Sequence, residues 1–187
     1  MGSHSLYKYS PWRAFALNNR LRAWFLKPTK LLKDYVKEGM TVIDVGSGSG
    51  MFTIAMAKMV GRSGKVIAVD VQDEMLETVR QRSEREGIRS RINLHKGTPD
   101  SLGLCERADF ILAFHVVHEV PDQEKLLKEV ITLLKPRAKV LIVEPTMRVS
   151  ALEFENLVDC VQSLGLKLLK RPMIWLSHTG LFESSEK

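Results

Sequence analysis

Three glycines at alternate positions follow an apolar run near the start of the chain. Residues 41–50 read Thr-Val-Ile-Asp-Val-Gly-Ser-Gly-Ser-Gly, and a helical pattern begins at Met51. A buried strand that turns sharply into a helix, with no side chains at the bend, brings bare backbone against a ligand. A second apolar run ends in Asp70, at the place where an acid holds the hydroxyls of a ribose. These residues predict a site for a nucleoside cofactor.

The spacing of the turn separates two candidate cofactors. A dinucleotide site requires a GxGxxG turn, whose third glycine packs the helix against the strand. Counted from Gly46, that place holds Met51, and counted from Gly48 it holds Thr53. Asp44, directly before the turn, would also set a negative charge beside a pyrophosphate. S-adenosylmethionine carries a sulfonium and an ammonium, which both tolerate nearby acids, so the residues favour S-adenosylmethionine over NAD.

Strands and helices alternate along the rest of the chain. Apolar runs predict strands at 41–45, 65–70, 91–96, 108–114, 139–144, 166–171 and 174–182, of which the last two form a hairpin. Helices are predicted at 29–38, 50–60, 73–86, 121–135 and 151–164. We expect Asp73 to cap the third of these helices and Pro136 to stop the fourth.

This alternation predicts a doubly wound α/β fold. We expect a mostly parallel seven-stranded sheet with helices on both faces and the last strand antiparallel. In such a sheet the ligand lies beyond the carboxyl ends of the strands. The glycine turn, Asp70 and the loops at 97–100 and 114–119 all fall on that edge.

Composition limits the class of protein. The 187 residues are 44% apolar and 27% charged, as in an ordinary soluble domain. No apolar stretch approaches the ~20 residues that span a bilayer, and the start does not resemble a secretory signal. Cys105 and Cys160 lie far apart and form no CxxC pair. We therefore expect a reduced, cytoplasmic protein without a metal site.

The net charge of +6 belongs to the first forty residues, because basic and acidic side chains balance over residues 41–187. Aromatic side chains alternate with arginines over residues 11–26, where one apolar helix face is predicted. We divide the chain into a basic aromatic segment, residues 1–27, and a cofactor-binding domain, residues 28–187. The segment is a candidate lid, and residues 11–27 are a candidate contact with an anionic membrane. The alternative is that it packs on the sheet with solvated arginines.

The run Asp44-Val-Gly-Ser-Gly-Ser-Gly50 resembles the D/E-x-G-x-G-x-G signature of class I S-adenosylmethionine-dependent methyltransferases. The resemblance covers nearly everything after residue 28 and includes Ala108-Asp109-Phe110 and Leu134-Lys135-Pro136. Residues 109–120 are most similar to the small-molecule branch that includes the ubiquinone and menaquinone biosynthesis enzymes. The resemblance implies a Rossmann-like methyltransferase fold, S-adenosylmethionine as cofactor and S-adenosylhomocysteine as product.

The resemblance also implies a set of cofactor-binding residues. They are Asp44, Gly46, Ser47, Gly48, Gly50, Asp70, Val71, Gly97, Thr98 and Phe114. The glycine turn would pass beneath the methionine part and the ribose, and Asp44 would steady the turn and the ammonium. Asp70 would accept hydrogen bonds from both ribose hydroxyls, and Val71 would flank the adenine. The family often has Gly-Asp-Ala after the third strand, where the Asp binds the adenine amino group. This chain has Gly-Thr-Pro at that place, so Thr98 or a backbone group would contact the adenine instead.

His115 and His118 are the candidate catalytic residues. By the resemblance, Phe114 and His115 would face the sulfonium, and an imidazole such as that of His118 can take a proton near neutral pH. Equally, His118 could be a loop histidine satisfied by a neighbouring carbonyl. For Glu119 the expectation is a helix start, and for Glu144 a strand end that faces solvent or substrate.

Methyl transfer depends mainly on orientation, which can supply ~7–11 kcal/mol, and it needs a base only when the acceptor loses a proton. Motifs for base-amino, ribose or arsenic methylation are absent from the sequence. We therefore predict a methyltransferase with a small, apolar or lipid-like acceptor and expect no nucleic-acid partner. The alternatives are an RNA or tRNA methyltransferase that uses the basic N-terminus, and a non-catalytic cofactor-binding subunit. The sequence leaves the acceptor, the methylated atom and the oligomeric state open.

Overall fold

The computed structural model describes residues 27–185, so the predictions for residues 1–26 lie outside the described part of the chain. Within that part, the strands are β1 (Thr41–Val45), β2 (Lys65–Asp70), β3 (Ile92–Lys96), β4 (Ala108–Phe114), β5 (Leu134–Pro145), β6 (Lys167–Lys170) and β7 (Ser177–Glu183). The α-helices are α1 (Pro28–Leu32), α2 (Met51–Met59), α3 (Asp73–Arg85), α4 (Gln123–Thr132) and α5 (Ala151–Ser163). Short 3-10 turns lie at Arg89–Arg91 and Val117–Glu119.

The strands form one sheet in the order β3-β2-β1-β4-β5-β7-β6. Strands β1 to β5 are parallel, and β7 runs antiparallel between β5 and β6. The direction of winding changes between β1 and β4, which places the ligand crevice beyond their carboxyl ends. The doubly wound fold, the terminal hairpin and the antiparallel last strand are thus confirmed. No helix between residues 27 and 185 combines the length and apolar character needed to cross a bilayer.

The central strands are buried on both faces because helices cover both sides of the sheet. Alternate residues of β1 enter different apolar clusters. Ile43 lies in the cluster that includes residues of α4 and α5, whereas Val42 lies in the cluster with residues of α1 and α2. This packing fixes the loops that leave the carboxyl ends of the strands.

The first described helix is shorter than predicted. We expect a helix over residues 29–38, but α1 ends at Leu32. The turn that follows places Val36 in the core and stacks the ring of Tyr35 on that of Phe110, with centroids 5.9 Å apart. Core packing therefore overrides the helical pattern in this segment.

The prediction that Pro136 stops a helix is wrong. Helix α4 begins after the cap Asp122, whose carboxylate accepts the N–H of Lys125 at 2.9 Å, and it ends at Thr132. Pro136 lies within β5, where the pairing of β5 with β4 changes register. A residue without an N–H is tolerated at such an irregularity.

Two further boundaries differ from the sequence pattern. Asp73 is not the cap of α3, because it is the first helical residue and Gln72 occupies the cap position. The last strand begins at Ser177 rather than at residue 174, because residues 171–176 form the β6–β7 loop. The N–H of Thr146 fixes this loop by donating to the carbonyl of Leu176 at 3.0 Å.

Candidate functional site

A cavity of about 610 Å³ lies at the carboxyl ends of the parallel strands. It is lined by the turn after β1 with the start of α2, the end of β2 with the start of α3, the loop after β3, and the end of β4 with the turn that follows. Leu126 and Glu129 of α4 and Arg148, after β5, complete the lining. The structure brings these predicted residues together in its wall: Asp44, Gly46, Ser47, Gly48, Asp70, Val71, Gly97, Thr98, Phe114, His115 and His118. Gly50, which was also predicted, does not line the cavity.

The three glycines of the turn, all with positive φ, have different surroundings. A Cβ on Gly46 would lie 2.5 Å from Cγ2 of Val116, and one on Gly50 would lie 2.8 Å from Cγ2 of Val79. A Cβ on Gly48 would meet no heavy atom of the described residues within 4 Å. Gly46 and Gly50 thus allow close packing of the turn, whereas Gly48 keeps space open on the ligand side.

Asp70 ties the glycine turn to the start of α3. Its carboxylate accepts the N–H of Gly48 at 2.8 Å and the N–H of Gln72 at 2.9 Å. Burial raises the pKa of Asp70, and these backbone hydrogen bonds oppose that effect. A carboxylate has about four acceptor positions, so two hydrogen bonds leave capacity for ligand hydroxyls.

Asp44 lies deeper, beneath the turn. Burial raises its pKa to about 7, against the opposing hydrogen bond from the hydroxyl of Thr53 at 2.5 Å, and the charge of Asp70 adds to the increase. Beside it, the buried hydroxyl of Ser47 has no hydrogen-bond partner among residues 27–185. Two carboxylates and an unpartnered hydroxyl suit a cationic, hydrogen-bonding ligand and disfavour a pyrophosphate.

The loop after β3 is held by contacts that the sequence did not predict. Thr98 donates its N–H to the carbonyl of Ser101 at 2.8 Å. The N–H of Leu102 donates to Oε2 of Glu129 at 2.6 Å, and the ring of His95 contacts the carbonyl of Leu102 at 2.8 Å. Glu129 comes from α4, and no local pattern in the sequence connects it with this loop.

The end of β4 supplies an aromatic wall. The ring of Phe114 packs between those of Phe52 and His115, with centroid distances of 4.4 Å in both cases. His115 adopts a positive φ of 57° and donates its N–H to the carbonyl of Val143 at 2.7 Å. Its Nε2 lies 3.2 Å from the hydroxyl of Ser177, so β5 holds the backbone of His115 and β7 contacts its side chain.

The turn that carries His118 is anchored by a fully buried acid, Glu144. One carboxylate oxygen of Glu144 accepts the N–H of Val117 at 2.9 Å, and the other contacts Nδ1 of His118. The prediction that Glu144 faces solvent or substrate is therefore wrong. Glu119 ends this 3-10 turn rather than starting a helix, and burial raises its pKa.

Comparison with known proteins identifies the family. Residues 36–169 match the family described as a methyltransferase domain. The chain belongs to this family. A crystal structure of an S-adenosylmethionine-dependent methyltransferase from Aquifex aeolicus superposes on the chain with a TM-score of 0.81 at 27% identity. The match covers 94% of this chain and 98% of that one.

Two sequence relatives belong to quinone biosynthesis by name. A demethylmenaquinone methyltransferase from Lactobacillus johnsonii is 34% identical over 137 residues, which cover 71% of this chain and 55% of the relative. A ubiquinone/menaquinone biosynthesis C-methyltransferase from Pasteurella multocida is 29% identical over 110 residues, which cover 58% of this chain and 41% of the relative. The chain thus spans about half the length of these relatives.

These comparisons confirm the family predicted from the glycine motif. The chain is a class I S-adenosylmethionine-dependent methyltransferase by family and by its Rossmann-like fold, and S-adenosylmethionine is confirmed as the cofactor. The cavity fits this cofactor, because it combines two acids with a Ser47 hydroxyl and an open space at Gly48 that no atom of residues 27–185 satisfies or fills.

Proposed function

We propose that this methyltransferase acts on a small organic acceptor that loses a proton in the reaction. S-adenosylmethionine, when bound, supplies a methyl group that its sulfonium already activates. The names of the two relatives support a quinone-like, apolar acceptor. The aromatic wall formed by Phe114 and His115 supports the same class of acceptor.

The contacts of Asp70 and Asp44 support an assignment of the groups that bind the cofactor. We assign Asp70 to the ribose hydroxyls, because its carboxylate lies beside the turn with acceptor positions still available. Asp44 lies beneath the same turn and is assigned to the ammonium group, whose positive charge would offset the cost of the buried carboxylate. Val71 and the backbone near Thr98 would flank the adenine. The basic aromatic segment, residues 1–27, is proposed as a lid.

The contact between His118 and Glu144 carries the proposal for the acceptor half. A carboxylate at Nδ1 favours the tautomer with the proton on that nitrogen, so Nε2 carries the lone pair. His118 lines the cavity, where a hydroxyl of the acceptor can give its proton to Nε2 while the acceptor forms the new bond to the methyl group that leaves the sulfonium. Glu144 then stabilises the imidazolium and holds its orientation.

The test compares His118→Gln and Glu144→Gln with the control His178→Gln, which changes a histidine of β7 that stacks on Phe154. Methyl transfer from labelled cofactor to a demethylated hydroquinone is measured across about pH 5 to 9. We expect kcat to fall about 10²–10⁴-fold in His118→Gln. Glu144→Gln should also be slower and should move the pH profile, while the dissociation constant for S-adenosylmethionine stays unchanged in all variants. A wild-type rate and pH profile in His118→Gln would refute the general base.

A further inference from the structure

Most of the large apolar side chains that are exposed in the described part of the chain come from two neighbouring segments. Met147 and Leu152 follow β5 and are 85% and 72% exposed. Met173, Trp175 and Leu176 lie in the β6–β7 loop and are 99%, 77% and 49% exposed. We call these five residues the apolar rim. A patch of this kind indicates an interaction surface.

Backbone contacts join the two segments of the apolar rim. Pro145, at the end of β5, pairs with Ser177 at the start of β7. Both the N–H and the hydroxyl of Thr146 donate to the carbonyl of Leu176, at 3.0 and 3.2 Å. Leu176 has a positive φ of 52°, which is uncommon for a large side chain. The rim is therefore one fixed surface at the carboxyl end of β5.

The apolar rim adjoins the mouth of the cavity. Arg148, the residue after Met147, is part of the cavity lining. Ser177, the residue after Leu176, contacts His115 in the cavity wall. A molecule that leaves an apolar phase at the rim would thus reach the acceptor side of the site over a short distance.

The charges around the apolar rim are compatible with an anionic surface. Arg148 is exposed between the rim and the cavity. Of the acids nearby, Glu155 pairs with Arg171 at 2.6 Å, whereas Glu153 keeps its negative charge in the capping box of α5. Over residues 145–155 and 170–177, the three basic residues Arg148, Lys170 and Arg171 outnumber the two acids. Exposed Trp, Leu and Met side chains beside cations are typical of proteins that bind at the interface of an anionic bilayer.

We infer that the apolar rim docks this protein on an anionic lipid bilayer, with the mouth of the cavity towards the membrane. This surface is separate from the membrane contact predicted for residues 11–27. The inference rests on the proposed function in one respect, which is that a lipid-like acceptor would enter from the bilayer.

Vesicle flotation of the full chain tests the inference. The variant Met173→Ser/Trp175→Ser removes two rim side chains that are 99% and 77% exposed, so the fold should be retained. Leu169→Ser is the matched control, since Leu169 is an exposed apolar residue of β6 outside the rim. Vesicles contain phosphatidylcholine alone or with an equal part of phosphatidylglycerol. We expect the rim variant to partition onto the phosphatidylglycerol vesicles about tenfold less than wild type or the control.

Two results would overturn the inference: wild-type protein that stays with the soluble fraction, or a rim variant that floats like wild type. Tryptic cleavage within residues 1–27 is also compared between wild type and the rim variant without vesicles. If cleavage changes and flotation does not, the apolar rim contacts residues 1–27 of the same chain rather than a bilayer. Calorimetry with S-adenosylmethionine is run on every variant. Absence of cofactor binding by wild type would contradict the proposed function, whereas flotation tests only the role of the apolar rim.

Discussion

The buried carboxyl group of Asp44 lowers the free energy of unfolding when it is ionised and no cation is bound. Burial raises its pKa from 3.8 to about 7, so between these values the folded chain retains a proton that the unfolded chain has lost. Stability therefore falls as the pH rises through this window. Above it, the ionised carboxylate costs the folded state about 4 kcal/mol. A bound cation would remove much of that cost.

The substitution Asp44→Asn keeps a partner for the hydroxyl of Thr53 and abolishes the titration. At about pH 8 we expect the ligand-free variant to exceed wild type in unfolding free energy by about 2–4 kcal/mol, and near pH 4 we expect the two to be similar. The same change should weaken S-adenosylmethionine binding about 10–100-fold at about pH 8, because a charge-assisted contact is lost.

Urea denaturation at the two pH values measures the first effect, and titration calorimetry measures the second. Calorimetry in buffers with different ionisation enthalpies should also reveal proton release when wild type binds the cofactor near neutral pH. Equal destabilisation of Asp44→Asn at both pH values, together with unchanged cofactor affinity, would refute the role given to this buried carboxyl.

Three other substitutions test the walls of the cavity. Gly48→Ala should weaken cofactor binding at least about tenfold and cost only about 1 kcal/mol of stability, because its Cβ enters open space at a positive φ. Gly46→Ala should instead cost about 2 kcal/mol or more, because its Cβ meets Val116; equal stabilities of the two variants by urea denaturation would contradict this assignment. Glu129→Gln should weaken S-adenosylmethionine binding severalfold, because it weakens the hydrogen bond from Leu102 that holds the loop after β3. An unchanged affinity by calorimetry would show that this hydrogen bond does not contribute to cofactor binding.

The sequence predicted the parts of the fold that local pattern determines. The apolar runs that end in Asp44 and Asp70 were placed correctly, since buried parallel strands are continuous apolar segments. The glycine turn was recognisable because backbone geometry restricts which residues it can contain. Element ends were less predictable. The turn at Tyr35 and the register change around Pro136 depend on packing and pairing with β4, which no local pattern specifies.

Residues that act through long-range contacts were the hardest to predict. Glu144 lies 26 residues after His118, and Glu129 lies 27 residues after Leu102. Each acid reaches its partner only because β5 and α4 pack beside β4 and the loop that precedes it. An acid at the buried end of β5 was the available signal for Glu144, but the sequence alone could not show that it turns towards His118.

The central claim is that the glycine turn and Asp70 together bind S-adenosylmethionine. Titration calorimetry on Asp70→Ala tests it most directly, with Asp73→Ala as the control, because Asp73 is an acid three residues away whose side chain is 73% exposed. We predict that wild type and Asp73→Ala bind S-adenosylmethionine with the same affinity. The affinity of Asp70→Ala should be at least about 30-fold lower. Absence of binding by wild type, or equal affinities in Asp70→Ala and wild type, would contradict the account.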